Sequence, residues 1–253
     1  MFADERHDHI IRLLERDGRV SVTDLAAQLE VTEGCIRKDL KALEDAGLCR
    51  KVYGGAIPIA RKREHRVDIR KALHSEEKRA VAAKAYALIN DGDAIYLDLS
   101  SSSYYLAEQL AAGDKRCLVI SNMLQALSVL SENELLNVIA TGGSVNAEQG
   151  GMLGSVAYDA LSNSYFDKVF LGSMGIDMES LAVTTYDINE ALLKQCAIKN
   201  ATECYLLVDS TKFNRRGNYR FGQLDEFTAV ITESIGPETR DDLSERGVKL
   251  MEA

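Results

Sequence analysis

The chain has 253 residues, 46% of them hydrophobic, and a formal net charge of −9, so it is long enough for more than one domain with its own core. No apolar run reaches the length of a membrane span, no signal-peptide pattern opens the sequence, and the five cysteines contain no C-x-x-C pair. These features exclude a membrane-spanning protein and a disulfide-stabilised secreted protein, and we expect a cytoplasmic protein with no metal ion and no cofactor.

The charge is unevenly distributed along the chain. Residues 1–66 hold 13 Lys and Arg against 12 Asp and Glu, whereas the remainder holds 17 against 27. An acidic body is repelled by nucleic acid. Any DNA-binding surface must therefore be a local basic face whose affinity falls steeply with salt.

Apolar residues recur at helical spacing three times in the first 46 residues. The first helix is predicted to end at Gly18, and Thr23 and Thr32 are predicted to cap the second and third helices. The predicted core positions are Ile10, Ile11, Leu13 and Leu14, then Leu25, Ala26 and Leu29, then Ile36, Leu40 and Leu43.

A basic two-strand hairpin follows the third helix. Gly47 ends that helix, and the hairpin from Leu48 to Ile57 is predicted to turn at Gly54-Gly55. This is the layout of a winged helix-turn-helix, in which the start of the third helix enters the major groove of duplex DNA. The residues predicted at the groove or its rim are Thr32, Glu33, Arg37 and Lys38, and those predicted at the phosphate backbone are Lys41, Arg50, Lys51 and Tyr53. A charged helix alone can be a solvated face, but its combination with the cap and the basic hairpin favours DNA binding.

Two segments carry a family resemblance. Residues 31–40 read V-T-E-G-C-I-R-K-D-L, and residues 47–56 read G-L-C-R-K-V-Y-G-G-A. They resemble the DNA-binding domain of the DeoR family of bacterial transcriptional regulators, whose pattern is V-S-x-x-T-I-R-R-D-L and then G-L-hydrophobic-x-R-x-x-G-G-A. The departures are Thr32, Cys35 and Lys38. Since Lys lacks the bidentate fork of Arg, Lys38 affects base preference rather than phosphate binding. We interpret Gly34, which costs about 1 kcal/mol relative to Ala in a helix, as a point of close approach to the DNA backbone.

Residues 58–77 are a composition break, rich in Arg, Lys, His and Glu, and predict a linker. Its cations Arg61, Lys62, Arg63 and Arg66 either contact phosphates beside the wing or belong to a solvated hinge. The predicted organisation is a winged helix-turn-helix in 1–57, a linker in 58–77 and an effector-binding domain in 78–253.

The second domain alternates short apolar strands with helices. A helix that carries Val81, Ala82, Ala85, Leu88 and Ile89 precedes the strand Ala94–Leu97. Further strands are predicted at 118–120, 138–140, 169–171, 205–208 and 229–231, with helices between most of them, including 124–130 and 188–201. This alternation predicts an α/β fold with a mainly parallel sheet flanked by helices.

Polar loops follow the predicted strands, at the edge where parallel sheets bind ligands. The first strand leads into Asp98-Leu99-Ser100-Ser101-Ser102-Ser103 and a helix that begins near Tyr104, so hydroxyls and free N–H groups meet at a helix N-terminus, a favourable anion site. Asp98 and Asp177 are candidates to accept sugar hydroxyls, and Lys212 to pair with phosphate. Each loop alone is ordinary turn chemistry, but their convergence indicates a polyol-phosphate site.

The resemblance to the DeoR family extends over residues 75–233. The family's sensor domain is similar to a ribose-phosphate-isomerase and CoA-transferase type of α/β fold that has kept ligand binding and lost catalysis. Its motifs correspond to Asp98–Ser102, Ser121-Asn122, Gly142-Gly143, Gly172–Asp177, Ala182–Thr185, Glu190–Lys194 and Asp209–Phe213, with Ser100 and Ala182 in place of glycines. The resemblance implies a phosphorylated sugar held by the serines and Lys212. The predicted ligand-binding residues are Asp98, Ser100, Ser101, Ser102, Ser103, Ser121, Asn122, Gly142, Gly143, Gly175, Asp177, Thr184 and Lys212. Glu190 and Lys194, four apart on a helix, are interpreted as a surface ion pair outside the site.

These features favour a transcriptional regulator, not an enzyme: a repressor of a carbohydrate catabolic operon that is released from double-stranded operator DNA by a phosphorylated sugar. Because two recognition helices usually meet successive groove faces, a homodimer or homotetramer is expected. One alternative is a sugar-phosphate isomerase that carries a DNA-binding domain, with Asp98 and Asp177 as its candidate bases. Another is redox sensing through Cys35.

Overall fold

The protein is described by a computed structural model over residues 3–58 and 66–253, and the chain divides into two compact units, Met1–His74 and Ser75–Ala253. The first unit has three main helices, a small sheet and a short fourth helix. Its elements are α1 Ala3–Asp17, β1 Val20–Ser21, α2 Val22–Gln28, α3 Glu33–Asp45, β2 Cys49–Val52, β3 Gly55–Pro58 and α4 Val67–Ala72. The strands form an antiparallel sheet in the order β1-β3-β2. The predicted winged helix-turn-helix is therefore present.

The core of this unit is built from the apolar faces of its helices. Nine of the ten predicted core positions are buried, and Ala26 packs against them partly exposed. Gly18 and Gly47 have φ angles of +70° and +76°, which lets the chain leave α1 and α3 in the left-handed conformation that glycine tolerates.

Two local predictions in this unit are wrong. The cap of α2 is Ser21, whose Oγ accepts the Asp24 N–H at 3.0 Å, rather than Thr23, because the chain is extended at Ser21 and turns helical at the buried Val22. The wing turns at Tyr53-Gly54, since Val52 already pairs with Gly55. Gly55 belongs to β3, where a Cβ atom would lie 1.9 Å from the Val20 carbonyl oxygen.

The predicted linker 58–77 contains regular structure. Its residues 67–72 form α4, whose Val67 and Ile69 are buried, and a further helix begins at Ser75. Arg66 is exposed and lies 3.8 Å from Asp68. Arg61, Lys62 and Arg63 lie outside the described residues.

The second unit is built on a seven-stranded sheet. Its helices are α5 Ser75–Tyr86, α6 Ser101–Ala112, α7 Leu124–Leu130, α8 Ser155–Ser162, α9 Ile188–Lys199 and α10 Pro237–Glu245. The sheet strands are β4 Ala94–Leu97, β5 Leu118–Ser121, β6 Asn137–Ala140, β9 Phe166–Gly172, β12 Ala201–Leu207, β14 Ala229–Thr232 and β15 Leu250–Glu252. All neighbours are parallel, in the order β15-β14-β12-β9-β4-β5-β6. Val169, Phe170 and Leu171 are consecutive and fully buried, so both faces of the sheet are covered.

Two smaller antiparallel sheets were not predicted. They are the pair β7 Ser144–Asn146 with β8 Gly151–Leu153, and the three-stranded sheet of β10 Gly175–Asp177, β11 Ala182–Thr185 and β13 Tyr219–Gln223. Each starts from a loop at the carboxyl edge of the large sheet, after β6 or β9, so these sheets extend the edge where ligand-binding loops were expected.

Candidate DNA-binding surface and ligand site

The third helix of the first unit, α3, has one apolar face and one cationic face. Thr32 caps it as predicted, accepting the Cys35 N–H at 3.2 Å. Ile36, Leu40 and Leu43 are buried, whereas Arg37, Lys38 and Lys41 are exposed. The helix therefore presents its cations to solvent, as groove binding requires.

Glu33 is engaged within the protein. Its carboxylate lies 2.6 Å from Arg37 Nη2 and accepts a hydrogen bond from Thr23 Oγ1 at 3.3 Å. In the free protein, Glu33 therefore orients Arg37 and links α2 to α3.

Asp39 is a functional candidate that sequence reasoning missed. Its buried carboxylate accepts two hydrogen bonds from Arg6, at 2.8 and 3.0 Å, and contacts His7 Nε2 at 3.2 Å and the Cys35 thiol at 3.7 Å. Burial raises the pKa of Asp39, but the hydrogen bonds and charge of Arg6, together with His7, outweigh burial and lower it. Asp39 thus fixes α3 against α1. The detectable sequence feature was an acidic residue at an inward position of α3, between Ile36 and Leu40.

The wing places an aromatic ring beside two cations. Tyr53 is fully exposed at the turn, and Arg50 and Lys51 are exposed on β2. The Lys51 N–H donates to Glu44 Oε1 at 2.8 Å, which ties the hairpin to α3. An exposed aromatic ring and two exposed cations on a hairpin held against α3 suit contacts with the phosphate backbone.

In the second unit, the strand order reverses between β4 and β9. From β4 the chain proceeds outward through β5 and β6, and from β9 it proceeds in the opposite direction through β12, β14 and β15. Crevices at such switch points are where open α/β sheets bind ligands. The loops after β4 and β9 are in close contact there: a Cβ atom on Gly172 would lie 2.4 Å from Ser100 Cβ, so only glycine fits.

The serine loop, residues 98–103, leads into α6, which begins at Ser101 rather than near Tyr104 as predicted. Ser100 caps the helix, accepting the Ser103 N–H at 3.1 Å, and Ser103 Oγ donates to Asp98 at 2.6 Å. Ser101 and Ser102 are only 7% and 5% exposed. Within the described residues, neither of their hydroxyls has a hydrogen-bond partner. These two hydroxyls and the N–H groups of Ser101 and Ser102 are thus available to bind an anion.

The interpretation of Glu190 and Lys194 as a surface ion pair is wrong. Lys194 is buried, and its ammonium group donates to Asp98, to the Gly172 carbonyl at 2.9 Å and to Glu190 at 3.1 Å. Glu190 in turn accepts the Thr185 hydroxyl at 2.6 Å. Burial lowers the pKa of Lys194, but the charges of Asp98 and Glu190 outweigh burial and raise it. The spacing of the two residues on α9 suggested an exposed ion pair. It does not show that other parts of the fold cover both side chains.

Asp98 does not face a ligand in this geometry. It is 1% exposed, and its oxygens accept the Ser103 hydroxyl, the Gly172 N–H at 2.8 Å and the Lys194 ammonium group. It therefore holds the serine loop against the end of β9 rather than offering a free carboxylate to a sugar hydroxyl.

The predicted residues at the end of β5 also hold loops in place. Ser121 Oγ accepts the Met123 N–H at 3.1 Å, and Asn122 accepts the Tyr96 hydroxyl at 2.9 Å and donates to the Met152 carbonyl at 3.1 Å. Their side chains are buried. They support the strand next to β4 instead of presenting polar atoms to solvent.

The remaining predicted residues are spread along the same edge. Gly175, Asp177 and Thr184 lie in the β10-β11-β13 sheet, where Thr184 Oγ1 donates to the Gly175 carbonyl at 2.9 Å. Hydrogen bonds from the Ser180 and Glu179 N–H groups, and the charge of Arg216, lower the pKa of Asp177, which therefore acts as a turn residue. The other predicted ligand-binding residues are Gly142 and Gly143, which follow β6, and Lys212, which follows β12. The Lys212 Nζ atom lies 3.8 Å from Asp209 Oδ2.

Two surface cavities of about 350 and 300 Å³ lie elsewhere. One is lined by Gly154, Ser155, Tyr158, Asn189, Leu192 and Leu193, and the other by residues of α9 and β13 together with Glu226. Neither contains a predicted ligand-binding residue.

Within residues 3–58 and 66–253, no helix combines the length and apolar character needed to cross a membrane, and no three His, Cys, Asp or Glu side chains are grouped as metal ligands.

Comparison with known proteins identifies both units. Residues 6–62 match the model of the DeoR-like helix-turn-helix domain, and residues 73–234 match the DeoR C terminal sensor domain. The chain is 33% identical over 245 residues to the lactose phosphotransferase system repressor of Lactococcus lactis subsp. lactis, with 95% of each chain covered. It is 30% identical over 247 residues to the glycerol-3-phosphate regulon repressor of Haemophilus influenzae, with 97% of this chain and 95% of that protein covered.

Among solved structures, ribose 5-phosphate isomerase A from Methanocaldococcus jannaschii matches with 18% identity and a TM-score of 0.41, covering 55% of this chain and 54% of that one. This similarity is too low to indicate a function. The two family matches and the repressors aligned over nearly the whole chain establish that the protein belongs to the DeoR family of transcriptional regulators, with a helix-turn-helix DNA-binding domain and a sensor domain.

Proposed function

We propose that this protein represses a carbohydrate catabolic operon and that a phosphorylated sugar, bound at the switch point of the large sheet, controls its affinity for the operator. The observation that supports this most strongly is the serine loop, where the hydroxyls of two nearly buried serines, which have no hydrogen-bond partner among the described residues, meet the N-terminus of α6. That combination suits a phosphate group. The two related repressors are named for lactose and for glycerol 3-phosphate, which is consistent with an effector of this class.

We propose distinct roles for the residues of the site. Ser101, Ser102 and the free N–H groups of α6 bind the phosphate, and Lys212, which follows β12 two strands from β4, approaches it from the other side. The engaged side chains, including Asp98 and Asn122, hold the loops in place. On the DNA side, Arg37 and Lys38 read the groove, while Lys41, Arg50, Lys51 and Tyr53 contact phosphates.

We also propose that the protein is not an enzyme. Aldose–ketose isomerisation needs a base within reach of the substrate carbon. Of the two candidate bases, Asp98 is buried with three hydrogen-bond donors, and Asp177 accepts the N–H groups of its own turn. Turnover of any sugar phosphate by the purified protein would contradict this part of the proposal.

The effector must favour one of two states of the protein, because a ligand with equal affinity for both shifts nothing. The test is a gel-shift titration of operator DNA with a panel of sugar phosphates, in which at least one is expected to weaken DNA binding. In Ser102→Asp, the new carboxylate occupies the proposed anion position at the start of α6, and the response is expected to disappear.

Ser155→Asp is the matched control, since it places the same carboxylate at the first residue of α8, where Ser155 is exposed. It should respond like the wild type. If no sugar phosphate changes the affinity of the wild type at saturation, the sensor function is contradicted. If Ser102→Asp still responds, the effector does not bind at the serine loop.

A further inference from the structure

Asp98, Glu190 and Lys194 form a buried anionic cluster that holds the serine loop. The cluster contains two carboxylates and one ammonium group, so it has one excess negative charge. Lys194 Nζ lies over the ring of Phe221 at 5.1 Å, and all three of its hydrogens are used by Asp98, Gly172 and Glu190. Within this cluster, no second cation balances the excess charge.

The cluster is connected directly to the atoms that shape the serine loop. Asp98 accepts the Ser103 hydroxyl at 2.6 Å and the Gly172 N–H at 2.8 Å, and Lys194 binds the Gly172 carbonyl. Lys194 therefore fixes both the carboxylate that anchors α6 and the strand end that packs against Ser100. Without Lys194, two carboxylates would remain buried without a cationic partner, which strongly disfavours this arrangement.

The excess charge also acts on any anion at the loop. Charges buried in protein are weakly screened, so a net negative charge bonded to the serine loop opposes the roughly half positive charge of the α6 N-terminus. Because the Asp98–Lys194 pair is neutral by itself, removal of the charge of Glu190 leaves the cluster without a net charge.

We propose that Lys194, a positioning residue, and Glu190, through its charge, set the anion affinity of the serine loop in opposite directions. Lys194 holds the loop in its anion-binding shape, whereas Glu190 lowers the affinity through its excess charge. This inference rests on the proposed function, since it takes the loop to be the phosphate site. It assigns the Glu190–Lys194 motif a role in tuning the sensor.

The test compares Glu190→Gln and Lys194→Met in the full-length protein. Glu190→Gln leaves a neutral Asp98–Lys194 pair and an amide that still bonds to its neighbours. We expect the sugar phosphate found active in the panel to release operator DNA from this variant at an about tenfold lower concentration than from the wild type, because a change of this size is expected when one unit charge is removed near a partly buried site. Lys194→Met is expected to raise that concentration by at least tenfold. A merely structural role would weaken binding in both variants.

The matched controls are Glu245→Gln and Lys199→Met, which remove the same charges from exposed positions of the same unit. Both should respond like the wild type. An unchanged or weakened response in Glu190→Gln overturns the proposal even if Lys194→Met does not fold.

A second measurement needs no effector. Hydrogen–deuterium exchange of the ligand-free protein is expected to be at least tenfold faster across residues 98–104 and 170–175 in Lys194→Met, and unchanged there in Glu190→Gln. If exchange in a folded Lys194→Met is unchanged, the positioning role is wrong. If exchange behaves as expected but the wild type responds to no sugar phosphate, the proposed function fails while the positioning role of Lys194 stands.

Discussion

At the scale of single residues, Asp39 links the helix predicted to enter the major groove to the first helix of the chain. Its partners Arg6 and His7 lie more than thirty positions away in the sequence, so these contacts connect two distant segments of the DNA-binding unit. Asp39 is buried, whereas Arg37 and Lys38 on the same helix are exposed, and its contacts hold α3 against α1.

This contact predicts a specific pH dependence. Because the pKa of Asp39 is lowered below its ordinary value of 3.8, its stabilising contribution is present above about pH 4 and is lost as the pH falls through the folded-state pKa. Asp39→Asn should reduce the free energy of unfolding by roughly 1.5–3 kcal/mol at pH 7, the range for hydrogen bonds to charged groups. Urea denaturation of both proteins from pH 7 down to about pH 2 should show this difference shrinking at the acid end. A difference that stays constant would show that the charge of Asp39 is not involved.

Gly34 and Gly55 should respond in opposite ways to alanine. A methyl group at Gly55 would lie 1.9 Å from the Val20 carbonyl oxygen, so Gly55→Ala is expected to cost about 1–3 kcal/mol. A methyl group at Gly34 meets only Thr32 Oγ1, at 3.8 Å, so Gly34→Ala should stabilise the unit by up to about 1 kcal/mol. Chemical denaturation measures both changes. If Gly34→Ala is more stable and still binds operator as tightly as the wild type, close approach of DNA at Gly34 is disproved.

At the scale of elements, the wing is a short hairpin whose exposed tip we propose to contact DNA. Tyr53→Ser should weaken operator binding by about fivefold, corresponding to roughly 1 kcal/mol for one hydrogen bond, while the unfolding transition stays unchanged. A gel-shift at fixed salt checks the affinity. Tyr165→Ser, which removes a ring that is 88% exposed in the other unit, is the control and should leave it unaltered. Equal affinity of Tyr53→Ser and the wild type would remove the wing tip from the interface.

Runs of apolar residues predicted the bounds of helices and strands well. Single polar or glycine residues predicted the positions of caps and turns less well. The strand Ala94–Leu97 and the helix Leu124–Leu130 have the predicted bounds, because each is a continuous apolar or amphipathic run between polar loops. The cap of α2 and the wing turn were misplaced by one or two residues. There, β1 and β3 pair with each other and determine where helix and turn begin.

At the scale of the whole molecule, a basic surface on one unit is combined with an acidic second unit. Operator affinity should therefore fall steeply with salt, with a slope of about −0.9 in log K against log salt for each neutralised phosphate. Lys51→Ala should make this slope about one unit shallower per chain if Lys51 contacts a phosphate. Lys199→Ala, an exposed cation of the sensor unit, should leave the slope unchanged. Filter binding between about 50 and 200 mM salt measures both slopes, and identical slopes for Lys51→Ala and the wild type would exclude the phosphate contact.

The sequence by itself determined the two units, the helix-turn-helix, most strands of the parallel sheet and the serine loop at a helix N-terminus. Each of these features depends on a pattern of apolar residues, helix caps and glycines within a segment of about ten to twenty residues, so the local sequence is enough to predict it. Only the tertiary structure decided which polar residues face solvent and which hold the protein together. Lys194 and Asp98 are 96 positions apart, and Arg6 and Asp39 are 33 apart. Whether a charged side chain is solvated or buried depends on what the fold places against it, and neighbouring residues along the chain do not contain that information.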